Sequence, residues 1–208
     1  MYGSSTQIPT IDLDTVTKPI SSARGMPGLT YTDPQLFAFE RDNLLGKTWA
    51  GLTFVSELPL NGSLLPVDFM GLPLLVTRTN EGQIKVFHNV CSHRGMTLVS
   101  EPKDQSRGVR CPYHSWFYDL DGMLKATPHI GGSGIHVLDD FSCAENNLKS
   151  VRCHLWMGII FINLSADAED FADFIGPLEE RWAPFMGPAG VSQLTVPSAQ
   201  GPIAIEVT

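Results

Sequence analysis

The hydrophobic positions of this chain change rhythm twice. Met1 to Leu29 shows no period among its Ser, Thr, Pro and Gly residues and reads as an extended arm. Leu36, Phe37, Phe39, Leu44 and Leu45 then recur at roughly helical spacing. Asp33 can accept from the free amides of a first turn, Pro34 suits the first helical position and Gly46 suits a stop, so a helix is expected over Pro34–Leu45. From Thr48 the apolar residues gather into short runs rich in Val, Leu, Phe and Thr. Strands are expected at 49–55, 63–69, 72–79, 84–88, 108–110, 116–120, 148–155 and 156–164. Asn61-Gly62, Asn80-Glu81-Gly82 and Asp121-Gly122 punctuate them as turns, and Thr127–Gly134 reads as a loop. Helical spacing returns in Phe171, Phe174, Ile175 and Leu178, with a start at Ser165 and a break or kink expected at Gly176-Pro177. Arg181–Phe185 reads as a further helical turn and Ile203–Val207 as a last strand. No internal repeat appears.

Composition narrows the class. The chain has 208 residues, 43% hydrophobic and 17% charged, which is a globular balance. Gly 19 and Pro 15 favour many turns over a helical bundle. Fourteen Lys and Arg stand against 22 Asp and Glu, a net charge of −8, and no basic run offers phosphates a counterion-releasing face, so nucleic-acid binding is not expected. No apolar run reaches membrane-spanning length, and the N-terminus lacks a signal-peptide pattern. No membrane association and a cytoplasmic location are expected.

Chemistry concentrates between Cys91 and His114. Cys91-Ser92-His93 is followed after 17 residues by Cys111-Pro112-Tyr113-His114. Each short clip mixes one thiol with one imidazole, both suited to zinc or iron–sulfur chemistry. Structural zinc sites usually pair like ligands within a clip, as in Cys-x-x-Cys. A two-iron centre with both cysteines on one iron and both histidines on the other wants one ligand of each kind from each clip. The flanking turns suggest that each clip tips a hairpin. Cys143 and Cys153 lie in unrelated contexts and form no disulfide framework.

The run Asn89-Val-Cys91-Ser-His93-Arg94-Gly95, then Cys111-Pro-Tyr-His114-Ser-Trp-Phe-Tyr118, then Asp121-Gly122, resembles the Rieske domain of the α subunits of Rieske non-haem iron (ring-hydroxylating) oxygenases. The likeness extends to Gly71–Arg78 and Trp156–Leu164, covering about residues 30 to 165. It implies a mainly β fold, a Rieske-type antiparallel β-sandwich with a hairpin cluster-binding subdomain flanked by short helices. It implies an arm and helix at 1–46, the Rieske domain at 47–164 with its cluster-binding part at about 86–130, and a helical segment with the truncated start of a catalytic domain at 165–208. It further implies a [2Fe-2S] cluster on Cys91, His93, Cys111 and His114. Electrons would come from a reductase or ferredoxin and leave for a mononuclear-iron catalytic domain. The family's trimer makes a homo-oligomer an expectation too.

Respiratory Rieske proteins carry an extra cysteine in each cluster loop. Met96 and Tyr113 stand at those positions here, which places the chain with the oxygenases or their soluble ferredoxins. The family usually has Gly where this chain has Ser115, so either the backbone there needs no positive φ or the loop is rearranged. Arg94, Met96, Tyr113, Ser115, Trp116 and Pro128 are candidates to surround the cluster, and Ser115 to tune it. His88, His129, His136 and His154 read as structural or surface residues, because the family's mononuclear site lies well downstream. No catalytic residue is therefore expected in this stretch. Electron transfer without hydroxylation by these residues alone is the expected activity, and a self-contained Rieske ferredoxin is the alternative.

Overall fold

The computed structural model describes residues 11, 13–165 and 167–185. The expected strand Ile203–Val207 lies outside the described residues. The chain divides into two compact units, Met1–Ala168 and Glu169–Thr208.

The first unit opens with two short helices, α1 (Leu29–Thr32) and α2 (Pro34–Glu40). Asp33 caps α2 as its position suggests: its Oδ1 accepts from the amides of Gln35 at 2.7 Å and Leu36 at 3.3 Å. The helix does not run on as α to Leu45. Arg41–Leu45 widens into a single π turn, closed by the Gly46 amide donating to Arg41 O at 2.7 Å. Glycine is needed there, since a Cβ at Gly46 would come within 2.9 Å of that same carbonyl oxygen.

Among the described residues nine strands follow: β1 (Ala50–Phe54), β2 (Leu64–Phe69), β3 (Leu72–Arg78), β4 (Ile84–His88), β5 (Val109–Arg110), β6 (Phe117–Tyr118), β7 (Leu124–Ala126), β8 (Ser150–Trp156) and β9 (Ile159–Asn163). All pair antiparallel. Six form a sheet ordered β1-β9-β8-β4-β3-β2, and β5-β6-β7 form a smaller one. The fold is thus mainly β, as the pattern indicated. The last two strands divide differently from expectation. Met157 (φ 50°) and Gly158 (φ 81°) make the turn between them, so Trp156 ends β8. Strand β7 was not expected, because it is three residues long and only Leu124 of it is buried.

Alternation along β3 shows where the cores lie. Leu74 and Val76 enter a core with Leu58, Val86, Val151, Ile160 and Ile162. Leu75, between them, points into a second core with Phe87, Cys91, Val109, Cys111, Trp116 and Tyr118. Buried Thr77 shares that second face and donates to Leu120 O at 2.8 Å. Strands β3 and β4 are therefore buried on both sides, and the hairpin subdomain sits on one face of the large sheet. Burial on two faces gives a continuous apolar run in place of alternation, as in Leu74-Leu75-Val76.

The second unit contributes α3 (Phe171–Trp182). Its start lies six residues after Ser165, whose hydroxyl instead accepts from the Asp167 amide at 3.1 Å in a local turn. The helix also continues through Gly176-Pro177. Proline there removes one amide donor, and the stripe of Phe171, Phe174, Ile175 and Leu178 runs across it. Among the described residues no helix is long and apolar enough to cross a membrane.

Candidate metal centre

Two turns of one design face each other at the end of the hairpin subdomain. In the first, the Gly95 amide donates to Cys91 O at 3.0 Å and the Cys91 amide donates to Met96 O at 2.8 Å. In the second, Ser115 donates to Cys111 O at 3.1 Å and Cys111 to Trp116 O at 2.8 Å. Each cysteine amide and carbonyl is thereby satisfied within its own turn. The fifth residue is left-handed in both, Gly95 at φ 70° and Ser115 at φ 59°. The backbone at Ser115 does need positive φ, and a residue with a Cβ adopts it at a cost of roughly 1–2 kcal/mol.

Neighbouring strands hold the turns in place. Buried Asn89, just after β4, donates to Val99 O at 2.7 Å and accepts from the Val99 amide at 3.0 Å. The Val90–Thr97 bridge closes the first hairpin, and β5–β6 closes the second.

The ligand types separate into two tiers. Cys91 and Cys111 are each 2% exposed and lie in the second core, with their thiols close enough to interact. The His93 and His114 side chains are more exposed, and their rings meet 4.7 Å apart at 66°. Burial, and then the neighbouring Cys111, push the Cys91 thiol up, so a thiolate pair here calls for a cation. Partial burial, His114 and Arg94 hold His93 below the ordinary imidazole value, which favours the neutral, metal-binding form. Nδ1 of His114 is buried with no hydrogen-bond partner. Such an orphan costs about 1–3 kcal/mol unless something ligates it. The two-tier arrangement suits a two-iron cluster, with two protein ligands per iron, better than one tetrahedral zinc.

A cleft of about 500 Å³ opens beside the imidazoles, and Arg94, Tyr113, Ser115, Trp116 and Pro128 line it with them. Met96 stands apart from that lining, 42% exposed, and contributes its carbonyl to the first turn. Of the remaining histidines, His129 and His136 are joined within the segment between β7 and β8 that covers the cleft with Pro128, His129 and Ile130, and there His136 Nδ1 accepts from the His129 amide at 3.1 Å. His88 is half-buried at the end of β4, and His154 is exposed on β8. Cys143 and Cys153 are free thiols, apart from the cysteine pair.

Three neighbours escaped the sequence reading. Tyr118, fully buried, places its hydroxyl 3.4 Å from Cys91 Sγ and accepts from the Ser92 amide at 3.1 Å. Burial and Cys91 raise its pKa far up, so it remains a phenol donor. Its signal was present: Trp116, Tyr118 and Leu120 alternate inward at 3%, 0% and 2% exposure. Asn147 accepts from Ser92 Oγ through its carbonyl at 3.1 Å and from the Leu124 amide through its side chain at 2.9 Å. Phe141 packs its ring against Trp116. Neither of these two has a marker in the sequence.

Residues 48–150 match the family model of the Rieske [2Fe-2S] domain. The chain is 32% identical over 160 residues to the glycine betaine monooxygenase oxygenase subunit of Chromohalobacter salexigens, spanning 77% of this chain and 35% of that protein. It is 28% identical over 169 residues to the 2-aminobenzenesulfonate 2,3-dioxygenase subunit alpha of an Alcaligenes species, 81% of this chain and 42% of that one. The chain thus spans between about a third and two-fifths of the length of these relatives. Among solved structures, a quaternary ammonium Rieske monooxygenase in complex with L-carnitine superposes with a TM-score of 0.67 at 25% identity, covering 79% of this chain and 46% of that one. Naphthalene 1,2-dioxygenase from Rhodococcus sp. gives 0.67 at 27% identity, over 79% and 38%. With its hairpin-borne thiols and imidazoles inside the matched region, the chain belongs to the Rieske oxygenase family through a Rieske [2Fe-2S] domain.

Proposed function

We propose that Cys91, His93, Cys111 and His114 hold the [2Fe-2S] cluster and that the domain passes single electrons to the mononuclear iron of an oxygenase catalytic domain. The observation that carries this reading is the tiering by burial: two buried thiols, and two imidazoles that meet at the rim of a cleft. Each turn gives one ligand of each kind, as a cluster with unlike irons requires. When bound, the cluster supplies one-electron redox chemistry.

The chain's own residues set the conditions. The second core excludes water from the thiolate side. Tyr118 directs a hydrogen bond at Cys91 Sγ. The imidazoles form the outer edge, and their second nitrogens are the atoms an acceptor's carboxylate can approach through the cleft. The donor is a reductase or ferredoxin, and the assembly is a homo-oligomer in which the acceptor iron is reached across a domain boundary.

Anaerobic reconstitution of the chain with iron and sulfide tests this. The expected product is coloured, holds iron and sulfide in equal amounts, and takes up one electron per chain. A colourless product that binds zinc and takes up no electron overturns the reading.

A further inference from the structure

The two imidazoles are supported unequally. His93 lies on an exposed part of its turn, yet one face of its ring is covered. The Trp116 indole lies parallel to it, with centroids 4.6 Å apart and planes 7° apart. Trp116 is only 3% exposed, so this surface is fixed from beneath. Phe141 then meets the indole edge-on, 5.5 Å away at 75°. Phe141 comes from the covering segment between β7 and β8 and is partly buried against the second core. His114 has a different neighbour. Tyr113 tilts over it at 36° and 3.7 Å, but Tyr113 is itself 58% exposed.

We propose that Trp116 and Phe141 are positioning residues for His93, the indole fixing the plane of the imidazole and the phenyl ring fixing the indole. This rests on His93 being a cluster ligand. An imidazole presents its lone pair in the plane of its ring, so rotation of the ring misdirects the bond to the metal. On this exposed turn the other ring that meets His93 is His114, which does so edge-on and leaves the ring face to Trp116. A parallel stack restrains the rotation and leaves both ring nitrogens free at the edge. An edge-to-face contact is a favoured aromatic geometry and keeps the indole from sliding along the core. The covering segment is thereby coupled, through the indole, to the orientation of His93.

The test uses the reconstituted chain, with three readouts: the rate of iron loss to a chelator, the nitrogen hyperfine couplings of the reduced cluster, and the melting temperature of the cluster-free protein. Trp116→Leu keeps apolar bulk but removes the planar face. It is expected to speed iron loss about 10-fold or more and to change one of the two imidazole couplings, leaving the other as it was. Trp116→Phe, which restores a flat ring, should recover most of the coupling. Phe141→Leu should shift the same coupling in the same direction, by less. If couplings and iron loss stay at the parent's values in Trp116→Leu and Phe141→Leu, the proposal is wrong. If Trp116→Leu does not fold, Trp116→Phe and Phe141→Leu decide it alone. A parent chain that assembles no cluster sinks the ligand assignment instead, so the two failures can be told apart.

Discussion

The turn Cys91–Met96 and the turn Cys111–Trp116 share one hydrogen-bond pattern and one left-handed fifth residue. They differ in everything added to that frame. The first has glycine at the strained position, a histidine at its third residue, and a buried tyrosine hydroxyl beside its cysteine. The second has Ser115 at the strained position, a histidine at its fourth residue, and no such hydroxyl among the contacts described for Cys111. The frame satisfies the backbone and aims the cysteines inward. The additions decide how each ligand is held and how much strain each turn stores.

The largest effect should be common to both turns. If both cysteines ligate one iron as proposed, Cys91→Ser and Cys111→Ser each remove one of its thiolates, and both are expected to abolish the visible spectrum of the reconstituted protein. Retention of colour in one and not the other would show that the turns are not equivalent as ligand donors. The next effect should separate them. Tyr118→Phe removes the hydroxyl that faces Cys91 and leaves the Ser92 amide without its acceptor. Denaturant unfolding of the cluster-free protein should show a loss of about 1–2 kcal/mol. A hydrogen bond to a thiolate favours the more negative, reduced state, so the reduction potential should also fall. An unchanged potential would remove Tyr118 from the site.

Exchange of the fifth residues should give smaller and opposite changes. Ser115→Gly relieves a left-handed residue and is expected to stabilise by about 1 kcal/mol, reduced somewhat by the greater freedom of glycine in the unfolded chain. Gly95→Ser should cost a similar amount, again about 1 kcal/mol. Equal stabilities for Ser115→Gly and the parent would mean that the Ser115 side chain has compensated the strain locally.

The smallest effect concerns pH. His88, on the strand that leads into the first turn, has its pKa lowered from 6.5, by burial first and by Lys149 second. The unfolded chain therefore takes up this proton first as pH falls. The folded state keeps its full advantage above about 6.5 and loses it progressively below. His88→Asn should flatten that part of the stability–pH curve. An unaltered slope would assign the acid sensitivity to another group.

The two turns also show what a sequence makes legible. The two clips are visible as residue types and spacing, so Cys91, His93, Cys111 and His114 stand out in the sequence as candidate ligands, and the family resemblance suggests what they hold. The left-handed state of Ser115 does not stand out. Serine does not signal positive φ, and only the hydrogen-bond pattern shared with Gly95 reveals the need for it. Asn147 and Phe141 reach the site from a long connection without periodicity, where tertiary contact alone decides position. At Gly176-Pro177 the sequence leaves a break or a kink open, and the helix continues through it, which excludes the break; the apolar stripe runs on past the lost hydrogen bond. The π turn at Arg41–Leu45 likewise follows from closure on Gly46, which no hydrophobic period encodes.

Electron–nuclear double resonance on the reduced, reconstituted chain tests the ligand set most directly, with ¹⁵N-histidine and natural-abundance samples compared. The expected result is coupling from two inequivalent imidazole nitrogens, one lost in His93→Ala and the other in His114→Ala wherever a cluster remains. A reduced cluster with no histidine nitrogen coupling, or one whose couplings survive both substitutions, would contradict the assignment of these two turns as the metal centre.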